Sequence, residues 1–297
     1  MYFPVADIEL NPLIPLLTGL AVSAICAPAG VSGGFLILPI HLNFLGFTSL
    51  AVSPTNFIFN IISMPLGLWR LHREKRVMWG LGLIIMLGCL PGIFAGTVLR
   101  CTWLRRASDF KLFVALVLAA LALNMVYGMR PGDSRAKKAE KLFIRDGSSG
   151  LACTYRRASV VYEFGGERFS FPTASIVLVS LLVGLLGGIY GIGGAAIIAP
   201  VLIGSFKMPV YLVSGASLMA GWAGAIFGLF SYIFFWPLIS GESPIIPDFM
   251  LGLLFGLGGM AGVYLGAAVS GRLPAWLIKT LLLGLIVVMI FQNIGLI

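Results

Sequence analysis

Charge is what this chain has least of. Only 10% of its 297 residues are Asp, Glu, Lys or Arg, where a soluble domain carries about 25%. The deficit is segregated: no charged residue occurs in 10–69, 172–206, 208–241, 249–271 or 280–297. A helical crossing of a bilayer core takes roughly 20 apolar residues, so each gap suits one crossing and the longest hold two. Hydrophobic residues make up 59% of the chain, and the mean hydropathy is +1.02. Lipid offers the backbone no hydrogen-bond partner, so only helices or a closed barrel can span it. The apolar runs are continuous and do not alternate, which excludes a barrel. The chain is therefore expected to be an all-α polytopic membrane protein.

The groups that carry chemistry are scarce too. There are two histidines, and His72 lies among charges. The four cysteines, Cys26, Cys89, Cys101 and Cys153, show no CxxC spacing and read as small hydrophobes, with no metal or redox role. No HExxH or paired carboxylate occurs, and no GxxxxGK[ST]. No charged residue is placed deep in an expected helix, which argues against a carboxylate proton relay and against a site on an intramembrane arginine. We expect no enzyme and no cofactor, with any energy drawn from a gradient or a partner. The net charge of +9 does not indicate nucleic acid: nine of the 20 basic residues lie in 129–172 beside five acidic ones. The start, MYFPVADIELNPLIP, lacks a basic n-region, so no cleavable signal peptide is expected.

What the chain does have is glycine and an internal repeat. An offset of 161 sets GVSGGFLILP, Gly30–Pro39, on GIGGAAIIAP, Gly191–Pro200, and carries Val52-Ser53 onto Val213-Ser214. A nine-residue insertion near 233–248 changes the offset to 170, which sets Gly82, Gly88, Gly92 and Gly96 on Gly252, Gly258, Gly262 and Gly266. Such spacing suits close packing through small residues. The expected organisation is a first transmembrane repeat over 10–128, a charged cytoplasmic linker over 129–172, and a second repeat over 173–297. In the linker, β-branched and aromatic alternation around Gly165-Gly166 suggests a small β-hairpin.

Each repeat reads as a Gly-broken stretch followed by three helices, roughly 51–69, 78–99 and 110–128, then 210–236, 248–270 and 275–296. The broken stretch from Leu13 to Phe47 would be about 52 Å long as one helix, against a core of about 30 Å. It is either one tilted, partly extramembrane helix or a hairpin folded back at the glycines. The bias of Lys and Arg toward the cytoplasm favours hairpins. They put the acidic start and the Glu242/Asp248 loop outside, and Arg70–Arg76, 129–172, Arg272 and Lys279 inside. Only the Arg100–Lys111 loop is misplaced. Each half then makes an odd number of net crossings, so the repeats are inverted, as in many secondary transporters.

A broken helix exposes backbone N–H groups and the positive end of a dipole, which together bind anions without side-chain charge. Two duplicated breaks would give two such ends. The candidate substrate-binding residues are Ser32, Gly33, Gly34 and Pro39 in the first break and Gly193, Gly194 and Pro200 in the second. Ser53, Thr55, Asn56 and Asn60 join them, with Ser214 and Ser217 in the second half. His41 is a candidate for coupling protons. Each has a plainer reading: glycines that serve packing, hydroxyls bonded to their own helix, a hydrogen-bonded interfacial histidine. Tyr190 and Trp222 read as core or interface aromatics.

At these residues the chain resembles the sulfite exporter TauE/SafE family of membrane permeases, through a GxGGxxxxxP-like motif near the start of each repeat. GIGGAAIIAP fits the pattern; GVSGGFLILP departs from it at Ser32, where the second half has Gly193. The resemblance implies a permease of the bacterial inner membrane. It implies a small sulfur-containing anion, sulfite or an organosulfonate, as substrate; apart from the resemblance, a proton or sodium ion is the expected coupling ion. A passive anion channel and a membrane assembly factor without a solute path stay open beside it.

Overall fold

The computed structural model describes residues 1–27, 32–74, 77–128, 152–155, 159–164, 167–206, 208, 210–269 and 275–293. Two short strands, β1 (Tyr2–Phe3) and β2 (Ile8–Glu9), precede the helices α1 (Leu13–Cys26), α2 (Gly34–Asn43), α3 (Val52–Arg73), α4 (Trp79–Thr102) and α5 (Ala107–Gly128). A three-stranded antiparallel sheet follows: β3 (Ala152–Tyr155), β4 (Ser159–Phe164) and β5 (Glu167–Pro172). In it Phe164 faces Glu167 across positions 165–166. The second half is α6 (Thr173–Tyr190), α7 (Ala195–Ser205), α8 (Val210–Phe230), a π-helical turn at Ser231–Phe235, α9 (Trp236–Ser240), α10 (Phe249–Val269) and α11 (Ala275–Asn293). Gly30, in the first motif, and Arg272, in a basic loop, lie outside the described residues, as does 129–151.

Among the described residues, five helices are long and apolar enough to cross a membrane: 79–102, 107–124, 173–190, 213–240 and 249–266. Their outward faces keep Leu87, Leu116, Leu123, Leu178, Leu182 and Leu265 exposed. Apolar surface of this extent is a liability in water and is matched by lipid. The protein is an integral, multi-pass membrane protein.

Glycine decides which helices touch. A Cβ on Gly88, Gly92 or Gly96 of α4 would collide with the backbone of α6 at Val177, Leu181 and Leu185. A Cβ on Gly258, Gly262 or Gly266 of α10 would collide with α1 at Leu16, Leu20 and Ala24. These two sets correspond under the offsets of 161 and 170 read from the sequence. Residue numbers rise together within each pair, so α1 runs parallel to α10 and α6 parallel to α4. By the same test α3 runs with α10 (Ile58 at Gly252, Ile62 at Gly256) and α8 with α4 (Met219 at Gly82, Ile93 at Gly224). Between α3 and α8 the order reverses, with Phe57 at Gly228 and Gly67 at Leu218. Counterpart helices of the two halves therefore point in opposite directions.

Both broken stretches fold back. The N–H groups of Val5 and Ala6 donate to the Asp248 carboxylate, and the Asp248 N–H donates to Thr55 Oγ1 at 2.9 Å. The chain start, the start of α3 and the start of α10 thus share one end, and α1 with α2 makes a hairpin between them. At the other end the Phe171 ring, just before α6, meets Phe206, just after α7, with centroids 6.0 Å apart. With rises of about 21 Å for α1 and 15 Å for α2, neither is long enough to cross alone.

The α4–α5 turn lies at the end that holds Glu242 and Asp248, and two of its cations have defined contacts. Arg105 grips Glu242 through two hydrogen bonds of 2.9 and 2.8 Å. Arg100 is fully buried in the last turn of α4, with its guanidinium over the Phe110 ring. That corrects the expectation that no charged side chain is buried in a helix: Arg100 sits close enough to a helix end to look like a loop residue, yet α5 covers it.

Candidate functional site

The second break needs glycine for its backbone. Gly191, Gly193 and Gly194 have φ of +83°, +64° and +88°, a region that L side chains enter only with strain. A Cβ on Gly191 would also strike the Ser53 carbonyl, and one on Gly193 the Gly221 carbonyl. The Gly187 carbonyl accepts the N–H groups of Gly191 and Ile192 at 2.9 and 3.0 Å and closes α6.

The first break is built differently. Ser32 Oγ accepts the Gly34 N–H at 3.3 Å and donates to Asn60 Oδ1 at 2.7 Å. Under the 161 offset, Ser32 and Asn60 correspond to Gly193 and Gly221. One half joins break to helix through two polar side chains; the other removes both side chains and lets the backbones touch. The departure at Ser32 is thus half of a paired size change, and its partner is Asn60.

Asn56 joins the two breaks. Its Nδ2 group donates to the Gly34 carbonyl at 3.0 Å and to the Gly191 carbonyl at 3.1 Å. Asn60 Nδ2 donates to Asn56 O at 2.9 Å and to Gly191 O at 3.3 Å. Ser53 Oγ donates to Ile189 O at 3.1 Å, one turn nearer the start of α3. The residues gathered here, Ser32, Gly34, Ser53, Asn56 and Asn60, are all buried. Asn56 Oδ1 is buried with no hydrogen-bond partner. The expectation was of converging amide N–H groups; the hydrogen bonds formed here show carbonyls converging on asparagine amides instead.

The other candidates lie apart from this bridge. Thr55 Oγ1 donates to Ala51 O at 2.7 Å and takes the Asp248 N–H, so it ties α3 to α10. Ser217 Oγ donates to Val213 O of its own helix. Ser214 holds the register position of Ser53 on α8. Gly33 packs on Ser23 and Phe59, and Gly194 on Val183. Pro200 lies within α7, as Pro39 does within α2. His41 is wholly buried, edge-on to Phe47 and Phe255 at 6.0 and 4.8 Å, with neither ring nitrogen partnered.

Two aromatics read as plain core carry defined hydrogen bonds. A proline inside a helix leaves the carbonyl four residues before it without its N–H donor. For Pro39 that carbonyl is Phe35 O, and Tyr190 OH donates to it at 2.6 Å. For Pro65 it is Ile61 O, and Trp222 Nε1 donates to it at 3.1 Å. In both cases the second half supplies the donor that a proline of the first half removed. The signal was present as prolines without donors and buried aromatics without acceptors, but nothing in the sequence pairs them.

Known proteins similar to this chain are described as membrane transporters. The chain is 23% identical over 291 residues to "Probable membrane transporter protein YunE" of Bacillus subtilis (strain 168), covering 94% of each chain. No solved structure matches it. The family model described as "Sulfite exporter TauE/SafE" matches residues 15–292. With nearly the whole chain matched, on two hairpins and a set of long apolar helices, the protein belongs to the sulfite exporter TauE/SafE family of membrane transporters.

Proposed function

We propose that this protein is a secondary transporter of a small anion, sulfite or an organosulfonate, taken up where the two helix breaks meet at Asn56 and Asn60. The observation that carries this reading is the Asn56 amide shared between Gly34 and Gly191. That one group holds both hairpins at once. In the geometry described, the amide donors are spent on carbonyls and the site is closed. Parting the hairpins frees the Asn56 and Asn60 Nδ2 groups, and an oxyanion takes the donors that the carbonyls release. A hydrogen bond to a charged group contributes about 1.5–3 kcal/mol, against about 1 for a neutral pair, so the exchange favours the anion.

Inverted hairpins fit alternating access, in which one repeat rocks against the other around a fixed site. A proton or sodium gradient drives the cycle in this reading, and no catalytic step belongs to it. The acidic end faces outward and the β3–β5 sheet lies in the cytoplasm. The test is flux into proteoliposomes with sulfite, sulfoacetate and taurine. The expected result is saturable uptake of at least one, driven by an imposed gradient and reduced about tenfold or more in Asn56→Ala. Absence of flux for every anion overturns the reading. Currents that do not saturate would mean a passive pore.

A further inference from the structure

We infer that Arg100 is a second anion-binding point, a station for a small oxyanion at the acidic end of the bundle beside the second break. The inference deepens the transporter reading and rests on it for its physiological sense. Arg100 has no exposed surface. Its Nη1 group donates to the Leu104 carbonyl, and its guanidinium lies 3.7 Å over the Phe110 ring. Nε and Nη2 are both buried with no hydrogen-bond partner. Those two nitrogens form one edge of the guanidinium, the edge that grips a carboxylate or sulfonate with two parallel N–H···O bonds. One side of the fork is fixed by the backbone and the opposite edge is left free.

A buried unpaired cation is costly. Among the described residues no carboxylate forms an ion pair with Arg100. Glu242 is held by Arg105, and Asp248 accepts the N–H groups of Val5, Ala6 and Leu251. The remaining polar neighbours are the Tyr232 hydroxyl and the Cys101 thiol, which lie within electrostatic reach. Tyr232 OH donates to Gly188 O at 3.3 Å, and it lies beside Ser53. The contacts of α4 with α6 advance four residues at a time, Gly92 at Leu181 and Gly96 at Leu185. One more step sets Arg100 level with Ile189, whose carbonyl accepts from Ser53. Arg100, Tyr232 and Ser53 thus lead from the acidic end to the Asn56 bridge. The 170 offset sets Arg100 on Ser270, so the corresponding position of the second half carries no cation.

The test uses the full chain in lipid nanodiscs, with sulfite and methanesulfonate as calorimetric probes, alongside sulfite flux in proteoliposomes. The wild type is expected to bind at least one probe, and Arg100→Gln to weaken that binding by about 10–100-fold while Asn56→Ala retains the Arg100-dependent part. Should Arg100→Gln not fold, Arg100→Lys keeps the charge but loses the fork, and several-fold weaker binding is expected of it. Equal binding by wild type and the folded variant overturns the inference, as does no binding of either probe by the wild type. Arg100-dependent binding without flux would sink the transport reading and leave this one standing. Saturable flux with an unchanged KM in the variant would do the reverse.

Discussion

Replacing Tyr190 by Phe tests how the two halves are bonded to each other. The substitution removes one oxygen and keeps the ring, which is wholly buried. The hydroxyl donates at 2.6 Å to Phe35 O, a buried carbonyl whose helical donor Pro39 cannot supply. Removing the donor leaves that acceptor unsatisfied, at a cost of about 1–3 kcal/mol in general. Side-chain hydrogen bonds between membrane helices average nearer 0.6 kcal/mol, with about 1.7 at most. Here Pro39 denies the carbonyl its usual helical donor, so a loss of about 1–2 kcal/mol, near the upper end, is expected. The control is Pro39→Ala, which returns an N–H at position 39 and offers Phe35 O an ordinary helical bond. In that background the effect of Tyr190→Phe should fall to less than half. Unfolding in mixed micelles, run as a double-mutant cycle, gives the coupling energy. Strict additivity of the two substitutions would refute the idea that Tyr190 stands in for the donor that Pro39 lacks.

Other outcomes follow from the same geometry. Gly92→Ala puts a methyl group into the Leu181 backbone and should destabilise by about 1–3 kcal/mol or more. Gly284→Ala meets nothing within 4 Å and should stabilise by about 0.5–1 kcal/mol through the unfolded chain; equal effects of the two in a thermal assay would refute the packing assignment. The Glu242 carboxyl is held below its ordinary range by the hydrogen bond from Arg105. Its folded value lies below its unfolded one, so its contribution is present above the unfolded value and is lost as pH falls through the folded value. The pair is largely exposed and the effect is correspondingly small. Glu242→Gln should flatten that part of the stability–pH curve, and an unchanged acid limb would count against it. Asn60→Ala leaves Ser32 without its acceptor and should loosen the first hairpin; Ser32→Gly with Asn60→Gly, which copies the second half, should recover part of that loss in protease protection.

The sequence was enough for the class of protein, because class follows from composition: uncharged runs longer than a bilayer core can only be helices in lipid. It also offered a correspondence between the halves, through glycines that recur at fixed spacing. Gly88, Gly92 and Gly96 on one side and Gly258, Gly262 and Gly266 on the other could be aligned before their partners were known. The folding back of the broken stretches was legible through charge placement, since lipid sorts charges by side. What the chain could not disclose was every fact that depends on which residue ends up opposite which. Asn56 was a candidate, but its hold on Gly34 and Gly191 together needs two breaks 157 positions apart to converge on one turn of α3. Tyr190 and Trp222 looked like filler because their acceptors belong to prolines in the other half. Arg100 looked like a loop charge because only the packing of α5 over the end of α4 removes it from water. Pattern along a chain reports periodicity and solvent; pairing across a fold is decided by tertiary contacts alone.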